Sequence, residues 1–119
     1  MSTLNVANVT DGTDTVATGY VVNGSAKAWV NIDGSGTISI QDSFSVSSIA
    51  DEGSGVYTTN ISSSFTNINY AYVAESTNYH ATLNSSSKAS SSFRVGVFSQ
   101  THSLQDSGQV CATAFGDLA

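Results

Sequence analysis

The sequence predicts an all-β protein, an antiparallel, jelly-roll-like β-sandwich of seven to eight strands with an extended amino-terminal arm. Three observations carry this reading. No window holds a sustained 3.6-residue apolar period. The strand-favouring residues Val, Ile, Thr, Tyr and Phe recur in short runs, and clusters of Gly, Ser, Asn and Asp separate those runs at the spacing of a sandwich. The 119 residues amount to one domain rather than two.

Taken in order, residues 1–24 read as an arm with turns at Asp11-Gly12, Asp14 and Asn23-Gly24. Its apolar residues Leu4, Val6 and Val9 lie in a segment too often interrupted by polar residues to build a core, so they are expected to attach to another chain. The sandwich domain is placed at residues 25–119. Its clearest strand is Lys27–Ile32, closed by the turn Asp33-Gly34-Ser35-Gly36 and followed by Thr37–Ile40, which alternates with period two. Trp29, between Ala28 and Val30, is expected to anchor the core, because one such ring dominates the packing of a small sandwich. Phe44, Val46 and Ile49 make the next strand, which turns at Asp51–Gly55 and returns as Val56–Ile61. Tyr70–Ala74, Tyr79–Leu83, Phe93–Phe98 and Val110–Phe115 are four further strands, and the hydroxyl-rich run Asn84–Ser92 is a loop.

Charge narrows the function. Three Lys plus Arg stand against nine Asp plus Glu, a net charge of −6, which leaves almost nothing to neutralise phosphates. Nucleic acid is therefore excluded as a main partner, and so is an anionic membrane. The amino-terminal run has no basic segment followed by an apolar stretch, and no 18 consecutive apolar residues occur, so neither a leader nor membrane insertion is expected. The single Cys111 cannot close an internal disulfide.

The residues that could carry chemistry do not converge. Asn31–Asp42 approaches the oxygen spacing of a calcium loop, but its last position is Asp where a longer bidentate Glu is needed, and strand-like flanks replace helices; a hairpin turn is expected. His80, His102 and Cys111 match no compact zinc-ligand spacing. Asp42, Asp51 and Asp106 lie among many serines without a nucleophile elbow, and Glu52 and Glu75 are not paired in apolar surroundings. No enzyme, cofactor or metal is expected. The sequons at Asn8, Asn23, Asn60 and Asn84 are what so many Ser and Thr residues produce by chance. Tyr72 and Tyr79, close to the serine-rich loop, are candidate surface contacts for a glycan.

Ala26–Asn31, Gly36-Thr37, Asp42-Ser43-Phe44, Val46–Ile49, Asp51, Gly55 and Tyr57 together resemble a β-rich module of bacteriophage virion proteins, with the pattern Lys-Ala-Trp-Val-Asn, Asp-Ser-Phe-x-Val-Ser-Ser-Ile. The opening Met1–Leu4 with Val6, the pair Tyr70-Ala71 and the closing Val110–Gly116 are similar to that family too; Ile32, Ser45 and the segment 76–92 depart from it. The resemblance implies a virion structural protein, a tail-fibre or appendage subunit that meets the host surface. Its alternative is a capsid decoration or other head-surface protein, and a free glycan-binding module is a third reading. The expected location is then the virion, and the expected partners are other virion proteins, copies of the chain and a host surface glycan. With no proline, two lysines and one arginine, the strand edges lack the usual protection, which predicts a closed homo-oligomer. The fibre resemblance implies a trimer, with the small residues Ala112, Thr113 and Ala114 near its axis.

Overall fold

The computed structural model describes residues 1–83 and 87–119, so Asn84 and the start of the serine-rich loop lie outside the described residues. Ten strands and one helix are present among the described residues. They are β1 (Asn8–Thr10), β2 (Thr15–Ala17), α1 (Thr18–Gly24), β3 (Ala28–Asp33), β4 (Ser39–Phe44), β5 (Val46–Asp51), β6 (Val56–Ile61), β7 (Ala71–Ser76), β8 (His80–Leu83), β9 (Ser92–Phe98) and β10 (Val110–Phe115). Eight of them form two antiparallel sheets, ordered β4-β3-β10-β7 and β5-β6-β9-β8, so that the first and last strands of the sandwich are neighbours inside one sheet. The short strands β1 and β2 pair only with each other, which brings the total above the seven to eight expected.

Alternation decides the core. Ala28, Val30 and Ile32 of β3, Tyr72 of β7, and Val110, Ala112 and Ala114 of β10 point inward from one sheet. They meet Tyr57, Ile61, Phe93, Val95 and Val97 from the other, and Phe65 and Tyr70 close one end with stacked rings 4.0 Å apart. Both glycine turns form as expected: Asp33 Oδ1 accepts bonds from the Ser35 amide at 2.8 Å and its hydroxyl at 2.6 Å, and Asp51 Oδ1 accepts from the Gly53 amide at 3.0 Å. These local bonds to its carboxylate hold the Asp33 carboxyl below the usual carboxylate range.

Two features depart from the reading of the sequence. Phe44 and Val46 do not share a strand, because Ser45 adopts a left-handed φ of 55° and turns the chain from one sheet into the other. Phe44 thus ends β4, 55% exposed, while Val46 begins β5 packed against the core. The second is α1, whose seven residues include two glycines and two β-branched valines and bury nothing. Its last carbonyls are held from outside: Lys27 Nζ donates to the Val22 carbonyl and, at 2.8 Å, to that of Ser25.

Candidate functional site

From Met1 to Ser25 no residue is buried, and the first buried side chain is Ala28. This segment nonetheless carries eight of the fifteen large apolar residues exposed among the described positions: Met1, Leu4, Val6, Val9, Val16, Tyr20, Val21 and Val22. Leu4 is 84% exposed and Tyr20 76%, values that in a free arm leave their apolar area in water. The β1–β2 hairpin is built by its own turn, where Asp11 Oδ1 accepts from the amides of Thr13 at 2.9 Å and Asp14 at 2.8 Å. Those same amides pull the Asp11 carboxyl below its ordinary range. A two-stranded ribbon of this kind is marginal without support. The arm lengthens the molecule to 50 × 28 × 24 Å and its radius of gyration to 16.5 Å, above the ~13.5 Å of a compact chain of this length.

A second apolar surface lies on the outside of the β4-β3-β10-β7 sheet. Register places Phe44 opposite Trp29, Trp29 opposite Thr113 and Thr113 opposite Val73, so the four side chains stand abreast on one face. Phe44 is 55% exposed and Val73 60%, with Trp29 and Thr113 half-buried between them. The adjacent row is polar: Asp42, Asn31, Cys111 and Glu75, in which the Cys111 thiol donates to Asn31 Oδ1 at 3.5 Å. The other sheet is β5-β6-β9-β8. Its outer face presents Thr58, Asn60, Ser48 and Arg94, with Arg94 bonded to Thr58 Oγ1 at 3.0 Å and paired with Glu52 at 3.3 Å. The outer face of the β4-β3-β10-β7 sheet therefore carries an apolar row beside a polar one that includes Asp42 and Glu75.

Several expected site residues lie elsewhere. Trp29 is not a core anchor: β3 turns Ala28, Val30 and Ile32 inward, which puts Trp29 on the outer face with Asn31 and Asp33. Tyr72 is 4% exposed and donates to the Arg94 carbonyl at 2.9 Å, so burial removes it from the surface contacts. Tyr79 is half-buried against the core. Ala112 and Ala114 pack between the sheets, which keeps them from an oligomer axis; Thr113 alone of that trio faces out. Leu4, Val6 and Val9 are exposed in the arm. His80 lies in β8 and Cys111 in β10, while His102 has a φ of 61° in the loop before β10. Asp106 is engaged structurally, accepting from the Gly55 amide at 2.7 Å and the Tyr57 hydroxyl at 3.2 Å. Among the described residues no group of three or more His, Cys, Asp or Glu side chains is placed to hold a metal ion.

A depression of about 330 Å³ sits where the arm meets the sandwich, lined by Asn23 from the arm and by Thr66, Asn67, Asn69, Phe115 and Asp117. Comparison with protein-family models, with characterised proteins and with solved structures returns no match.

Proposed function

We propose that this chain is a structural subunit of a bacteriophage virion, an appendage or tail-fibre component joined to its neighbours through the amino-terminal arm. The observation that carries the reading is the arm itself, a segment without a buried residue that holds eight exposed large apolar side chains. Such area in water is unfavourable at roughly 25 cal/mol per Å², so a chain that carries it gains by covering it with a partner. The resemblance of Ala26–Ile61 to the phage module supplies the kind of partner, and the low-charge, hydroxyl-rich sandwich suits display on a particle.

In this reading the chain assembles as a closed homo-oligomer, with three copies the number that the fibre resemblance suggests, and its function is architectural. Gold-labelled antibody against the chain, imaged on intact particles by electron microscopy, tests it. Label on the tail or fibres is the expected result. Label on the head would replace the appendage by capsid decoration, and particles without label would overturn the virion assignment. A glycan array with the whole chain separately tests contact with a host surface sugar.

A further inference from the structure

The arm and the outer row Phe44–Trp29–Thr113–Val73 are both apolar, both exposed and close in sequence, since β3 presents Trp29 two residues after Lys27 leaves the arm. Their chemistry matches. The net charge of −6 makes two copies repel, so a contact between them must join uncharged surfaces. Residues 1–10 and 15–26 contain no charged side chain, and neither does the row, with Asp42 and Glu75 standing in the next row of the same face. The cations that could offer a basic partner's kind of contact are already used: Lys27 on the end of α1, Lys88 on the Tyr70 carbonyl and ring, and Arg94 on Glu52.

Area selects between the ways two copies could meet. Four strands about 4.8 Å apart and about 20 Å long give the sheet roughly 400 Å² in plan. That is about half of the ~800 Å² that each partner contributes to a stable interface. Stacking sheet on sheet is therefore too small alone, whereas an arm laid on a neighbouring sheet adds the apolar area of Leu4, Val9, Tyr20 and Val22 to that of the row. Two arms laid reciprocally on each other's sheets close the assembly with no open end.

We infer that the outer face of the β4-β3-β10-β7 sheet receives the amino-terminal arm of a second copy of this chain, the arm covering Trp29 and Phe44. The contact does not depend on the virion reading, because it concerns only how copies of the chain meet. Trp29 is the single tryptophan, so its fluorescence reports the covering directly.

The test measures mass by light scattering and Trp29 emission together, across a dilution series of the full chain. The expected result is a mass of at least twice 12.3 kDa that falls on dilution, with Trp29 emission moving to longer wavelength in step. In the Tyr20→Ser/Val22→Ser variant, whose changes lie outside the core, the mass should stay at that of one chain and the emission at the red-shifted limit. A wild-type mass of 12.3 kDa at all concentrations overturns the inference, whether the emission is blue-shifted by the chain's own arm or not. An assembly that survives the double substitution overturns it too, because the copies would then meet without the arm. Circular dichroism of the variant confirms that the sandwich is intact before either result is read.

Discussion

The hydroxyl of Tyr57 occupies the space that a side chain on Gly34 would need: a Cβ built there lies 2.3 Å from Tyr57 Oη and 2.5 Å from its Cζ. Tyr57, 1% exposed, donates to the Gly34 carbonyl at 3.2 Å and to Asp106 Oδ1 at 3.2 Å. The Gly34 amide donates to the Ser107 carbonyl at 2.9 Å. The β3–β4 turn is thus tied to the loop before β10 and to β6 in the facing sheet, at the end of the sandwich remote from the arm.

Gly34→Ala should therefore destabilise the protein by about 1–3 kcal/mol, the usual cost of overpacking a filled site. Backbone strain plays no part, so the effect is steric alone. Gly108→Ala, where an added Cβ meets nothing within 4 Å, should change stability by less than about 0.5 kcal/mol. Urea denaturation of both variants checks the contrast, and equal midpoints would disprove the close approach.

Alkaline pH should weaken the fold through two tyrosines. Burial pushes Tyr57 up to about 12, with Asp106 adding to it, and burial likewise pushes Tyr70 up to about 12, with Tyr72 adding to it. An unfolded tyrosine titrates near 10. Because the folded values are the higher ones, the stability these hydroxyls contribute is full below about pH 10 and is lost as pH rises towards about 12. An ultraviolet titration should find Tyr57 and Tyr70 ionising late, together with loss of the fold. Ionisation of both near pH 10 with the fold intact would contradict this.

Trp29→Ala should cost little stability, about 1 kcal/mol, because the ring lies half-buried on the outer face. Phe93→Ala, at a ring with 0% exposure between the sheets, should cost about 3–5 kcal/mol. Thermal melts of the two variants rank them. A Trp29→Ala loss as large as that of Phe93→Ala would return Trp29 to the core.

Much of this fold was legible from period-two alternation and from the glycine turns. Both hairpins, and the eight strands of the sandwich, lie at or within a few residues of where those signals put them. The faces were legible as well, had each strand's polar residues been used to orient it. Asn31 and Asp33 share Trp29's parity and mark it as outward, while Glu75 marks the opposite parity to Tyr72 and sends that ring inward. Cys111 and Thr113 do the same for β10, leaving Ala112 and Ala114 inside. The corner at Ser45 left no such trace, because Phe44 and Val46 keep the spacing of an unbroken strand and only a single left-handed residue separates two sheets. Nor did α1, whose Tyr20-Val21-Val22 favours a strand and whose helical turn depends on Lys27 capping it from beyond its end. The apolar row could not be read from any one segment, since it exists only through the register of four strands.

The role proposed for the arm is to join the chain to a particle. Particles assembled with the full chain, and with a chain lacking residues 2–20, can be purified and their content of each chain measured. The deletion removes no buried residue. The shortened chain is thus expected to keep the circular dichroism and melting cooperativity of the sandwich, yet to be absent from particles that contain the full chain. Shortened chain present in particles at the level of the full chain would contradict the account.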